Sequence, residues 1–228
     1  GVQDPAIRER NYNVADSRIQ FKDRWTELAA QWAPGSNIVV RSKLYHIGSD
    51  RYWRNAEAYR YNATTGLIDR SDNTEIGHDQ TQTGNTTDVT FHGSLLGRPN
   101  QLSLGFDVNR ASFQHTNNTY TGSSGPVDPY NPVPGYYSSS VPFIPRYQNK
   151  AEQYALFAED RFELTDRWSV VAGTRFDHAD LSRQDLVAGN QAFKRSYSNT
   201  GWRLGSVYKL SPQLSLYAQA SKAADPVS

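Results

Sequence analysis

Hydrophobic and polar residues alternate along three clear stretches of the chain. Leu102, Leu104, Phe106 and Val108 interleave with Ser103, Gly105, Asp107 and Asn109. Trp168, Val170, Ala172, Thr174 and Phe176 interleave with Ser169, Val171, Gly173, Arg175 and Asp177. Leu214, Leu216, Ala218 and Ala220 interleave with Ser215, Tyr217, Gln219 and Ser221. A period of two puts one set on each face of a strand. Short turns at 33–37, 96–100, 164–167 and 210–213 join such stretches in pairs. The pattern predicts eight strands in four hairpins, near 18–32, 38–50, 78–95, 101–114, 151–163, 168–181, 197–210 and 214–222. Long polar connections at 51–77, 115–150 and 182–196 separate the pairs. Short turns at one end, long loops at the other and one apolar face predict an all-β, antiparallel transmembrane barrel wall. Leu102, Leu104, Phe106, Val170, Ala172, Leu214, Leu216 and Ala218 are expected to face lipid, and their polar alternates a lumen.

Composition narrows the alternatives. The mean hydropathy is -0.72, and no run of about 18 apolar residues exists, which excludes a helical membrane protein. It does not exclude a barrel, because only alternate strand residues meet lipid. The 24 basic and 23 acidic residues leave a net charge of +1 and no electrostatic case for nucleic acid as a partner. Cysteine is absent, which removes disulfide frameworks, thiolate metal sites and cysteine nucleophiles. The chain begins at Gly1 with neither methionine nor a signal peptide, and is expected to be processed, trimmed or internal. Trp168 and Trp202 are expected on the apolar face near strand ends, with the ring buried at a membrane interface and the N–H wet.

Eight strands can close a small barrel. Arg161, Glu163, Arg175 and Arg203 on the polar face argue for a wider lumen, where they stay hydrated. The chain stops at Asp225-Pro226-Val227-Ser228, in what reads as the next loop, without a final aromatic residue. The expectation is therefore an open arc of a larger barrel.

Several segments resemble the barrel of TonB-dependent siderophore receptors. They are Tyr154-Ala155-Leu156-Phe157-Ala158-Glu159-Asp160-Arg161, Leu164-Thr165-Asp166-Arg167-Trp168-Ser169 and Gly173-Thr174-Arg175-Phe176-Asp177-His178. Gly205 to Leu210, Leu216 to Ser221, Asn117 to Tyr120 and Val127 to Pro132 match in the same order. The resemblance implies a 22-stranded, plugged barrel in the Gram-negative outer membrane, of which residues 1–228 form a central part. It implies uptake of a ferric siderophore, driven by the TonB energy-coupling complex through the plug. A plug segment, a coupling box and the C-terminal strands are not recognisable. The rival readings are a small eight-stranded outer-membrane enzyme or adhesin, and a soluble lipocalin-like binding protein whose apolar face points inward.

No catalytic constellation stands out, and an enzyme is not expected. Asp177-His178 and His78-Asp79 are neighbours that point to opposite faces of a strand. His46, His78, His92, His115 and His178 lack close metal-ligand spacing and read as surface or rim residues. The ligand-binding candidates are loop aromatics and arginines: Arg51, Tyr52, Trp53, Arg54, Tyr59, Arg60 and Tyr61 in the first long loop. Tyr120, Tyr130, Tyr136, Tyr137, Arg146 and Tyr147 lie in or beside the second. Rings offer contact area at small rotamer cost, and cations offset the charge of an anionic chelate. The siderophore itself ligates the iron, so no cofactor or metal-ligand cluster is expected.

Overall fold

Backbone pairing turns the alternating pattern into one sheet. In the computed structural model, which describes residues 4–187 and 192–223, eight antiparallel strands follow one another in chain order. They are β1 Arg18–Gly35, β2 Ile38–Asn62, β3 Leu67–Leu95 and β4 Arg98–Asn117. β5 is Ile144–Glu163, β6 Trp168–Asp185, β7 Phe193–Ser211 and β8 Leu214–Lys222. The four expected hairpins are present. β1 and β8 do not pair, so the eight strands form an open arc and not a small closed barrel. The turn between β3 and β4 is the two residues Leu96 and Gly97, both with positive φ (53° and 76°), the geometry that suits the twist of a tight hairpin.

Register carries each face across the strands. Asp107 lies opposite Thr86 on β3 and Ala155 on β5, and Ala155 lies opposite Asp177 on β6. This polar, inner face lines a hollow that includes Ser103, Asp107, Glu159, Arg175 and Arg203. Arg175 spans β5, where the small buried Ala155 leaves room, and holds Asp107 at 2.5 Å and Asp177 at 2.8 Å. Arg203 pairs with Glu159. Of the four charges expected on the polar face to stay hydrated, Arg175 and Arg203 are instead held as ion pairs.

The opposite face carries Leu104, Phe106, Leu156, Leu204, Leu214 and Leu216, all exposed. Its apolar series end at a common charged boundary. On β4 it runs from Leu102 to Val108 and stops at Arg110; on β6 it runs from Trp168 to Phe176 and stops past His178 at Asp180. On β5 it stops at Glu152, which Arg110 grips at 2.8 Å. Counted from the short turns, these lengths match the 9–11 residues that a tilted strand needs to cross a bilayer. Tyr154 and His178 stack at 4.9 Å just inside the charged boundary, where a girdle of amphipathic rings belongs. Trp168, with its indole N–H on Ser206 Oγ at 2.8 Å, lies at the short-turn end as expected. Trp202 does not lie at a strand end; it is near the middle of β7, which begins at Phe193.

One expected loop is largely strand and the other two are shorter than expected. β2 continues to Asn62 and β3 starts at Leu67, so 51–77 is a protruding hairpin with a short tip and not a loop. Arg51, Tyr52, Trp53, Arg54, Tyr59 and Tyr61 are therefore strand residues. Beyond the charged boundary neither face is uniformly apolar, so the period of two fades while the backbone ladder persists. The second connection shrinks to 118–143, with Arg146 and Tyr147 on β5, and the third to 186–192. Residues 188–191, and the ending Asp225-Pro226-Val227-Ser228, lie outside the described residues.

Depth along the strand predicts the cost of an outward charge. Leu104 lies midway between Arg98 and Arg110, whereas Leu216 is two positions from the start of β8. Leu104→Arg should destabilise the intact barrel in lipid by about 2–4 kcal/mol and Leu216→Arg by about 0–1 kcal/mol. Denaturant unfolding in vesicles measures both, and equal costs would contradict this placement of the bilayer.

Candidate functional site

Beyond the bilayer span, the inner face changes from ion pairs to rings. Arg51 on β2 faces His78 on β3, His78 faces His115 on β4, and His115 faces Tyr147 on β5. His78 and His115 lie five positions further out than Thr83 and Arg110, about 16 Å along the strand. Neighbouring strands run about 4.8 Å apart, so rings in one row stack. The His78 and His115 centroids are 5.0 Å apart, and His115 stacks on Tyr147 at 4.9 Å. Trp53 meets His78 edge-on at 5.1 Å, and Phe113 lies 4.9 Å from His78. Cations close both ends of the row: Arg51 lies 5.6 Å over Phe21, and Arg183 lies 3.8 Å over Tyr147.

The two histidines are kept neutral. Burial pulls both below the ordinary value of 6.5, aided by Arg51 for His78 and by His78, Arg183 and Arg146 for His115. The row is therefore aromatic in its middle, with Arg51 at one end and, at the other, Arg183 held at 3.0 Å by Asp185, which lies opposite Tyr147; it suits a ligand with stacking faces and negative charge toward Arg51.

A cap of irregular chain covers the adjoining outer end. Residues 4–17, the β2–β3 hairpin and the 118–143 connection pack around Val14, Ala56, Ile68, Ile76 and Val127. Arg70, 3% exposed, ties them together. Its guanidinium donates to the carbonyls of Tyr12, Ser124, Gly125 and Pro134 at 2.6–3.2 Å. Asn118, fully buried, donates to Asn73 O and Tyr137 Oη at 2.6 Å and accepts from the Glu75 amide. The next two residues, Thr119 and Tyr120, have positive φ (60° and 57°), so the chain leaves β4 abruptly. That conformation is strained for residues with a Cβ, and the Asn118 bonds hold it.

The expected binding residues divide into three groups. Arg51, Trp53 and Tyr147 belong to the ring row. Arg146 supports it from β5, donating to Asn117 O and Oδ1 at 3.1 and 3.0 Å, and Tyr120 Oη reaches His115 Nε2 at 3.3 Å. Tyr52, Arg54 and Tyr137 serve the cap. Tyr52 donates to Glu75 at 2.5 Å, and burial with that carboxylate pushes its phenol up to about 12. Arg54 pairs with Asp16 at 2.8 Å and lies 5.3 Å over the Tyr137 ring. Tyr59, Tyr61, Tyr130 and Tyr136 are exposed on the cap. Tyr59 donates to Ala56 O and Tyr130 to Asp4.

Sequence reasoning missed Phe113, Arg183 and the pairing of His78 with His115. The residues are 37 positions apart, and only the β3–β4 register brings them together. Arg70, Asn73 and Asn118 were missed as well, because a buried polar knot in irregular chain has no period. Among the described residues, no group of three or more His, Cys, Asp or Glu is placed to hold a metal.

An open antiparallel arc with a lipid-length apolar face, a charged inner face and a capped outer end defines a section of a large outer-membrane-type barrel. Residues 3–227 match the family model "TonB dependent receptor-like, beta-barrel", and the chain belongs to that family. Over 128 residues it is 27% identical to the ferrioxamine B receptor of Salmonella typhimurium, covering 56% of this chain and 18% of that receptor. The fold is similar to that of the siderophore receptor PiuA from Acinetobacter baumannii. There the TM-score is 0.75 at 12% identity, covering 91% of this chain and 33% of that one. The ferripyoverdine receptor of the Pseudomonas aeruginosa outer membrane gives a TM-score of 0.69 at 16% identity, covering 95% and 29%. The chain thus spans a third or less of the length of these relatives.

Two outcomes follow from the site. Arg70→Ala should release the cap while the wall stays folded, costing at least about 2–3 kcal/mol of docking because several charge-assisted bonds to buried carbonyls are lost. Hydrogen exchange should then quicken at 118–143 and not in β4–β6; a uniform change would refute the assignment. The histidines bind protons less readily folded than unfolded, so their contribution is complete above pH 6.5 and falls as pH drops through the lowered folded values. Protection factors at residues 115–121, corrected for the intrinsic pH dependence of exchange, should fall below pH 6.5, and this fall should vanish in the double variant His78→Gln, His115→Gln.

Proposed function

We propose that this chain is part of the wall of a Gram-negative outer-membrane receptor that takes up a ferric siderophore. The observation that carries the reading is the inner-face row from Arg51 through Trp53, His78 and His115 to Tyr147 and Arg183, above a bilayer-length apolar wall. Stacked rings supply contact area, Arg51 complements negative charge, and Arg183, whose Nε is held by Asp185 at 3.0 Å, covers the Tyr147 face. The iron is cargo, ligated by the siderophore, and the protein needs no cofactor of its own for this role. Partners in this reading are outer-membrane lipid, the ferric siderophore, and the TonB complex acting through a plug. The chemistry is binding and passage, with no bond made or broken in the cargo, so the protein is not an enzyme. The names of the similar receptors support a siderophore as the cargo class.

The test uses the full receptor in detergent or vesicles with a panel of ferric hydroxamate, catecholate and carboxylate chelates. Tyr147→Ala and Arg183→Ala should each weaken the chelate that binds by roughly 5- to 30-fold, about 1–2 kcal/mol, as for loss of one stacked or cationic contact. Tyr136→Ala, on the exposed cap, should change affinity by less than about threefold. Removal of residues 120–140 should weaken binding more than any single change, because the cap also orders Tyr120 and Arg146 beside the row. A receptor that binds every chelate equally well without Tyr147 and Arg183 would refute the row as the site.

A further inference from the structure

The hydrogen bonds around His115 run in one direction. Asn117 Oδ1 accepts from Arg146 Nε at 3.0 Å and from the Thr119 amide at 3.0 Å. Both are obligate donors, so the amide orientation of Asn117 is determined and its Nδ2 donates to His115 Nε2 at 2.8 Å. His115 Nε2 is therefore an acceptor. A neutral His115 must carry its proton on Nδ1, which donates to His78 Nε2 at 2.9 Å. His78 Nε2 is in turn an acceptor, and the neutral His78 carries its proton on Nδ1. The relay starts at a permanent cation, Arg146, and ends at an N–H on the inner face. His78 Nδ1 has no hydrogen-bond partner among the described residues, and it lies between Arg51 and Arg183 in the ring row.

We infer that His78 presents a fixed Nδ1–H donor to an anionic oxygen of the cargo, and that neither histidine of the pair ligates a metal. The second half follows from the lone pairs. A neutral imidazole has one, and both are engaged: that of His78 by His115, that of His115 by Asn117. Cargo whose metal keeps an open position for a protein ligand, such as a haem, finds no free nitrogen here. The site instead fits a coordinatively saturated iron chelate that carries oxygen acceptors on its outside. The inference rests on the receptor reading and narrows its cargo.

Two measurements on the full receptor test it. Selective ¹⁵N-histidine labelling in detergent micelles reports the tautomers without any cargo, and protons on Nδ1 of both His78 and His115 are expected. A proton on Nε2 of either at neutral pH overturns the relay. Binding is then followed with ferric tris-hydroxamate, ferric tris-catecholate and haemin as probes. His78→Leu should lose about tenfold in affinity for the ferric chelate that binds, and His78→Gln, which keeps an N–H donor, should stay within about threefold.

Asn117→Asp reverses the relay. Its second carboxylate oxygen accepts from His115 Nε2–H, His115 Nδ1 accepts from His78 Nε2–H, and the His78 Nδ1 lone pair is freed. This variant should lose affinity for the chelate and gain a histidine-ligated haemin spectrum that the native receptor lacks. A native haemin spectrum of that kind, abolished in His78→Leu, would overturn the inference. So would unchanged chelate affinity in His78→Leu. If the native receptor binds none of the ferric chelates, the receptor reading fails and the cargo assignment with it, whatever the tautomers show.

Discussion

The structure depends on the requirement that backbone N–H and C=O groups crossing lipid be satisfied within the sheet. A bilayer offers no competing partners, so a spanning wall must be a continuous ladder. The eight strands meet this requirement with nearly unbroken antiparallel registers from β1 to β8. Once the ladder is continuous, side-chain alternation across it is forced. Each residue opposite an inner one is also inner, and a row of inner residues becomes a surface. The charged pairs of the hollow and the ring row above it are both consequences of that geometry.

Outside the bilayer the same ladder carries a different load. Water can satisfy the backbone there, and the strands are free to be polar on both faces. The β2–β3 hairpin uses this freedom to stand beyond the wall as a post against which two irregular segments dock. Docking relies on few apolar contacts and many polar ones. Arg70 spans four carbonyls from two segments, and Asn118 bridges β3 to the 118–143 connection. Groups so deeply buried are costly unless fully partnered, which makes the cap cooperative. The cap also borders the ring row, because Asn117, at the end of β4, bonds His115 on one side and Arg146 on the other. Order in the cap and tautomer in the row are therefore parts of one network.

The candidate site was legible only in part. Aromatic and cationic richness near 51–61 and 120–147 pointed to the end of the molecule where the ring row and the cap lie. The roles within it did not follow from composition. Arg51 and Arg54 are three residues apart, yet strand alternation sends one to the ring row and the other to Asp16 and the cap. Tyr136 and Tyr137 are adjacent, yet one is exposed and the other is anchored on Asn118. His78 and His115 read as isolated rim residues, because no local spacing marks a contact that spans two strands.

By itself the sequence determined the all-β class, the four hairpins, the face each wall residue takes and the sense of a larger arc. These are local properties, written in a period of two and in turn residues, and the bilayer enforces them strand by strand. Only the tertiary structure decided where β2 and β3 end, what the cap is built from, and which residues form the row. Strand length beyond the membrane depends on pairing with a distant segment, and the row depends on register. Both are set by contacts between residues far apart in the chain, which no window of sequence contains.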